Sequence, residues 1–352
     1  MKPLYPLLFK PLLREVVWGG NRLLLWKGLP PTDVPVGESW EVSSIPERES
    51  IISNGPYAGR KINDFTEEMG EKVLGNAVVK KYGRQLPLLV KLIDAREDLS
   101  IQVHPNDEMA MRYHGKKGKT EMWYIVDAEP GSSVLVGFNK RITPLEYGLS
   151  VMDGTICNVL ARHEVKTGDV FYIPSGRVHA ICGGILLVEV QQSSDITYRI
   201  FDYDRPGIDG RPRELHTEMA AKAINYEVQE DYRTHYAEAT EKAVPVINSP
   251  YFSIRTIDIA HPFHRDMRKY DSFVISICLQ GSCRIEPRTA VGMAPTAPVT
   301  INSGYSTLIP AAIADYDIVP LTPDTRILET FIDNCDSSLA ARAARFFHLS
   351  IG

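Results

Sequence analysis

Short apolar runs, cut by Gly, Pro, Asn and Asp, dominate the chain. Leu86–Ile93, Glu121–Val126, Ser133–Gly137, Asp169–Ile173 and Ile185–Gln191 are rich in β-branched and aromatic residues. Such residues suit the pleated, half-buried surface of a sheet. Strands at this spacing, with turn residues between them, predict a sandwich or barrel. Helical periodicity is confined to a few stretches. These are Lys61–Leu74 with Asn63 and Asp64 as its cap region, Asn106–Tyr113, Thr143–Asp153, Glu218–Ala223 and Ser337–Phe347. The pattern as a whole predicts a mainly β protein with a few peripheral helices.

A boundary is expected near the charged stretch Glu227–Lys242, which lacks an apolar period. Strands resume at Phe252–Ile259, Val274–Ile285 with Gly281 inside it, and Ser306–Pro310. Two domains follow, 1–235 and 236–352. They carry a hint of a repeat. Gly168 and Pro174 precede His179, and Gly304 and Pro310 precede Asp315, at the same spacings. The second copy has Asp where the first has His, and no Gln-x-His segment, so its barrel is expected to lack a metal.

The net charge of −5 argues against nucleic acid, whose binders show a basic surplus. An anionic substrate would need local Lys or Arg groups. The five cysteines are Cys157, Cys182, Cys278, Cys283 and Cys335, an odd count with no Cys-x-x-Cys spacing. Cys278 and Cys283 share one hairpin, but the set reads as reduced thiols packed as small hydrophobes. Pro3, Pro6 and Pro11 break the first residues, unlike a signal peptide. No apolar run approaches the roughly 18 residues of a membrane span. A cytoplasmic location without a membrane partner is expected.

The chemistry begins at Gln102 and His104. Residues two apart in a strand share a face, so these two project together while Ile101 and Val103 pack the other way. Seventeen residues after His104 comes Glu121, with Lys119 on its face. His179 follows Pro174, which ends a strand. If these strands are neighbours, one amide, two imidazoles and one carboxylate converge. Nitrogen and oxygen ligands without thiolate suit one divalent ion, with zinc favoured over cobalt, manganese, nickel or iron.

The order of these pieces is that of cupin barrels, a first motif ending in Glu and a later one of the form Gly-x5-Pro-x4-His. More specifically, the chain resembles the type I mannose-6-phosphate isomerases in their shorter bacterial form. The resemblance rests on Val17-Trp18-Gly19-Gly20, Gly37-Glu38-Ser39-Trp40-Glu41, Pro87–Leu92, Ser100–Pro105, Lys119–Tyr124, Pro174–Ala180 and Ser194–Arg199, in the family's order over roughly residues 1–215. It implies two jelly-roll barrels, the second metal-free, in a monomer or weak homodimer. It implies Gln102, His104, Glu121 and His179 as metal ligands, and Arg199 and Lys119 as catalytic groups that also bind substrate. Asp195 matches an acidic residue at the pocket. Longer members carry His before the lysine, where this chain has Gly118.

The implied reaction interconverts mannose 6-phosphate and fructose 6-phosphate through a cis-enediolate. A divalent ion and Arg199 would stabilise the charge on O1 and O2. Asp195, Glu41 and a metal-bound hydroxide are candidates for the base. Without a glycine-rich phosphate loop, single cations such as Lys91 would bind the phosphate. Two other readings compete: an iron oxygenase on the same barrel, and a non-catalytic sugar-binding cupin.

Overall fold

The computed structural model describes residues 3–288 and 296–335. The predicted helix Ser337–Phe347 lies outside the described residues. The chain packs as two compact units, neither contiguous in sequence. One unit comprises residues 12–40 and 89–234, and the other residues 1–11, 41–88 and 235–352. One of the crossings between units falls between Thr234 and His235.

The strands in chain order begin with β1 (Leu12–Gly20), β2 (Val36–Val42), β3 (Leu88–Ala95) and β4 (Ile101–Val103). Next come β5 (Glu121–Ala128), β6 (Ser133–Phe138), β7 (Leu160–Glu164) and β8 (Val170–Ile173). The run closes with β9 (His179–Ile181), β10 (Ile185–Gln192) and β11 (Tyr198–Phe201). They form two sheets, in the orders β1-β2-β3-β10-β5-β8 and β11-β4-β9-β6-β7. The pairs β1-β2, β10-β5, β5-β8, β11-β4, β4-β9, β9-β6 and β6-β7 are antiparallel.

The inner faces meet in a core that joins Trp123, Ile125, Phe171 and Ile173 of one sheet to Val134, Val136 and Ile181 of the other. The second sheet also buries its outer face. There Ile101, Val103, Tyr198 and Ile200 pack with Ala110, Tyr147 and Ala220, from the helices Asp107–His114, Pro144–Met152 and Thr217–Ala223. The outward packing of Ile101 and Val103 leaves the intervening Gln102 on the inner face, as the alternation predicts.

Helix ends follow local chemistry. Asn106 accepts from the Met109 amide at 2.9 Å, and Gly115 closes that helix in the left-handed region. Thr143 and Glu146 form a reciprocal capping box, followed by Pro144, the residue suited to a first turn. The helix Ile62–Leu74 buries Ile62, Phe65, Met69 and Val73 along one stripe. Its cap differs from expectation. Lys61 takes the cap position without a side-chain bond, and Asn63 lies inside the first turn, donating to the Ser44 carbonyl.

The other unit contains β12 (Ala243–Asn248), β13 (Ser253–Ile259), β14 (Phe263–Asp266), β15 (Val274–Gln280) and β16 (Ser282–Pro287). It continues with β17 (Val299–Asn302), β18 (Ser306–Ile309), β19 (Asp315–Pro320) and β20 (Thr325–Phe331). Its sheets run β12-β13-β20-β15-β18 and β14-β19-β16-β17. Each strand is the counterpart of the strand ten earlier, so the topology repeats. The matched Gly-to-Pro spacings therefore have a structural basis: β8 and β18 precede the prolines, and His179 and Asp315 open β9 and β19.

The repeat also shows what replaced the metal ligand. Glu121 pairs with Ile173 and Gln191, and Val274 pairs with Ile309 and Phe331. Valine thus stands at the position of Glu121. By the same register, Glu189 opposite Trp123 matches Glu329 opposite Ser276. Glu329 is fully buried, and Arg265 at 2.6 Å and the Tyr316 hydroxyl at 2.9 Å satisfy it.

Gly137 on β6 has φ of +72°, and a Cβ there would collide with the Tyr232 ring. Gly137→Ala should lower unfolding free energy by about 2 kcal/mol or more. Urea denaturation followed by circular dichroism reads this, and an unchanged midpoint would contradict the packing described.

Candidate metal centre

Gln102 on β4 is directly opposite His179 on β9 on one side and Arg199 on β11 on the other. One row across the sheet therefore carries an amide, an imidazole and a guanidinium. His104 follows β4, and Glu121 opens β5 in the facing sheet. His104, Glu121 and His179 are buried, and their ligand atoms all lie within 4.8 Å of one another.

Backbone carbonyls fix both imidazoles. His104 Nδ1 lies 2.9 Å from the Ile196 carbonyl, and His179 Nδ1 lies 2.8 Å from that of Arg177. A carbonyl only accepts, so each Nδ1 carries the hydrogen and each Nε2 presents its lone pair. His104 Nε2 faces Glu121 Oε2 at 3.3 Å, and His179 Nε2 faces Oε1 at 3.4 Å. Two acceptors at that distance repel unless a cation lies between them. Ligand atoms that share a tetrahedral zinc at about 2.1 Å stand about 3.4 Å apart. His104 Nε2 and Glu121 Oε1 are buried without a hydrogen-bond partner among the described residues, a state that native interiors rarely leave uncompensated. The donor set fits a divalent ion.

Burial would raise the Glu121 carboxyl, but Lys119 and the two imidazoles outweigh it and hold the group well below its usual range. Burial, with the Lys119 charge next, pushes His104 down to about 3. Burial lowers His179 as well, against the pull of Glu121. The cluster thus stays in the protonation state that a metal requires.

Lys119 Nζ lies 2.9 Å from Glu121 Oε2 and 3.9 Å from Glu189 Oε1. Burial lowers it, but the two carboxylates prevail and its pKa is raised. Lys91 Nζ lies 3.0 Å from Glu189 Oε1, and the Trp123 indole donates to Oε2 at 3.1 Å. Glu38 accepts from the Trp40 indole at 2.6 Å. Burial raises it, yet Lys91 and Arg14 hold it low. Glu38, Lys91, Glu189, Lys119 and Glu121 therefore alternate in sign through a buried layer. Sequence reasoning missed Glu189, although a charged residue inside the uniformly buried run Ile185–Gln192 is the signal that should find it.

The remaining candidates are less central. The Gln102 amide nitrogen lies 3.3 Å from His179 Nε2 and donates to it. Arg199 Nη1 donates to the Glu214 carbonyl at 2.7 Å, while its buried Nε has no acceptor. Burial and then Arg213 lower its pKa. Asp195 is exposed and accepts from Lys116 at 2.8 Å. Glu41 is buried but belongs to the other compact unit. Gly118 donates to Asp107 at 2.8 Å, and a Cβ there would meet backbone atoms of residues 106 and 107 at 2.5 Å. The histidine of longer relatives has no room at this position.

An antiparallel double-sheet barrel with an inward His, Glu and His cluster defines a cupin with a metal-type site. Comparison with known proteins narrows the class. Residues 7–131 match the family described as phosphomannose isomerase type I, catalytic domain. The mannose-6-phosphate isomerase ManA of Bacillus subtilis is 38% identical over 252 residues, 71% of this chain and 78% of that protein. A second B. subtilis relative, YvyI, is 35% identical over 321 residues, 89% of this chain and 95% of the relative. The crystal structure of mannose 6-phosphate isomerase from B. subtilis superposes with a TM-score of 0.82 at 31% identity, covering 93% of this chain and 99% of that one. The chain belongs to the type I phosphomannose isomerase family.

The depressed His104 makes the metal-free protein acid-sensitive. Between pH 6.5 and about 3 the unfolded imidazole binds a proton that the folded one refuses, so stability falls as pH falls through that window. One such group contributes at most about 1.4 kcal/mol per pH unit. His104→Gln should flatten the slope in urea titrations of chelated protein. An unaltered slope would contradict the assignment.

Proposed function

We propose that the chain interconverts mannose 6-phosphate and fructose 6-phosphate, using one divalent ion, with zinc the best fit, held by His104, Glu121, His179 and Gln102. The observation that carries this reading is the buried His104, Glu121 and His179 cluster, whose ligand atoms lie within 4.8 Å of one another, with Lys119 2.9 Å from Glu121. A turn of the Gln102 amide would present its oxygen to the ion. When bound, such an ion supplies Lewis-acid stabilisation of charge developing on the sugar oxygens.

The protein's own groups do the rest. The reaction removes a proton next to a carbonyl and passes through an enediolate, so negative charge grows on O1 and O2. Lys119 donates to these oxygens from a dry position, where a fixed cation acts more strongly than in water. Lys91 acts through Glu189, whose carboxylate steadies Lys119. Arg199 Nε, which lacks an acceptor among the described residues, is assigned to the substrate. Asp195, one residue before Ile196 and paired with Lys116, is assigned as the base that takes the proton from C2 and returns it to C1. We assign the metal to this barrel alone, since the other has Val274 at the position of Glu121. A cytoplasmic location belongs to the same reading. No helix among the described residues is long and apolar enough to cross a membrane.

Family membership and the paired cations Lys119 and Arg199 disfavour an oxygenase, and the intact ligand set disfavours a purely sugar-binding cupin. A coupled assay of fructose 6-phosphate formation tests the proposal. Activity should vanish on chelation and return with a single divalent ion. Arg199→Ala should keep its metal and lose about 10²- to 10³-fold in kcat. Turnover untouched by complete metal removal would refute the reading.

A further inference from the structure

Lys119 lies in the turn between the helix Asp107–His114 and β5, yet it is only 4% exposed. A long side chain on a turn holds a fixed place only if its backbone is pinned. Three successive amides are pinned here, each by a different part of the fold. The Gly118 amide donates at 2.8 Å to Oδ1 of Asp107, the first residue of the helix. The Lys119 amide donates to the Pro105 carbonyl at 3.1 Å. The Thr120 amide donates at 2.8 Å to Oε1 of Gln192, the last residue of β10.

Gln192 closes the set. Its Oε1 accepts from a backbone amide, so its Nε2 is the end that donates. Nε2 reaches Asp107 Oδ1 at 3.1 Å. One carboxylate oxygen thus receives both Gly118 and Gln192. The arrangement calls for an acceptor at 107 and an amide at 192. The Gln192 backbone amide also donates to the Thr120 carbonyl at 3.0 Å, and Ser194 Oγ donates to the Lys117 carbonyl at 2.8 Å. Gly118 lies too close to residues 105–107 for a Cβ, and that approach brings its amide to Asp107. Pro105 follows His104, and Ser194 precedes Asp195. The pinned turn is therefore tied by chain connection to a ligand histidine and to the assigned base.

We propose that Asp107 and Gln192 are positioning residues for the isomerisation, which act through Lys119 by fixing the turn that carries it. This deepens the isomerase reading and rests on it for the role of Lys119. Misplacing a reacting group by about 1 Å can cost on the order of a hundredfold in rate. A hydrogen bond outside the ligand cluster can therefore govern turnover.

The test uses the full-length, metal-loaded protein. Gln192→Glu keeps the side-chain volume and the acceptor for Thr120, but it sets two carboxylates against each other. Asp107→Ala removes the shared acceptor. Each should lower kcat with mannose 6-phosphate by about ten- to a hundredfold, with little change in KM or metal content. Asp107→Asn keeps an acceptor oxygen and should restore most of the rate. Glu108→Gln, at the exposed next position of the helix, should leave kcat unchanged. If Asp107→Ala fails to fold, Gln192→Glu reads the same arrangement.

The same changes are then made in Lys119→Ala. Residues that act through Lys119 add no further loss there. A loss by the same factor in both backgrounds would give Asp107 and Gln192 a general structural role and overturn the proposal. An active enzyme whose folded Asp107→Ala and Gln192→Glu variants keep wild-type kcat would overturn it too. Hydrogen exchange of the amides at 118–120, read by mass spectrometry, needs no turnover. It should be slow in the wild type and faster in both variants. That result in a protein without isomerase activity would uphold the pinned turn and remove the isomerase reading.

Discussion

A carboxylate with no exposed surface lies between two imidazoles that turn their lone pairs toward it. Taking a carboxylate out of water costs several kcal/mol even after the protein relaxes. Glu121 is met by the Lys119 ammonium at 2.9 Å on Oε2, and otherwise faces the two imidazoles. Much of the first barrel's interior follows from that constraint. The carbonyls of Ile196 and Arg177 force the imidazole tautomers, and the order β11-β4-β9 aligns Arg199, Gln102 and His179. Beneath them, alternating charges from Glu38 to Lys119 keep a buried polar layer near neutrality.

The second barrel shows the same fold with the constraint lifted. Val274 and Phe331 fill the positions of Glu121 and Gln191. Glu329 keeps the place of Glu189 but is satisfied within the protein by Arg265 and Tyr316. A buried ion pair that completes its own hydrogen bonds needs no ligand. The two barrels thus separate what the topology requires from what the site requires. Strand order and apolar alternation are common to both. Orphaned nitrogen and oxygen atoms among the described residues form a ligand cluster only in the first.

Much of this was legible in the chain. Apolar, β-branched and aromatic runs bounded by turn residues located β5, β6, β8 and β10, and the spacing of Gln102 and His104 put both on one side. The elements that escaped notice were those whose signal is weak. β9 has three residues, too few to show a period, and pairing rather than propensity forms it. The helix cap at Asn63 was misplaced because a good capping residue can also serve inside the first turn, where Asn63 reaches Ser44. The pairing of Arg205 with Arg213 was harder still: they are eight residues apart, and only the Asp202 carboxylate folded between them brings them together. Glu189 was visible in principle as a charge in a buried strand, but its partners on β3 and ahead of β5 come from the fold.

The central claim is that one divalent ion sits between His104, Glu121 and His179. X-ray absorption and anomalous diffraction of the metal-loaded protein test this most directly. The account predicts one ion per chain, bonded to the Nε2 atoms of both histidines and to Glu121, with oxygen completing the sphere. An ion bound elsewhere, or through Nδ1, or a fully loaded and active protein with this cluster left unbound, would contradict it.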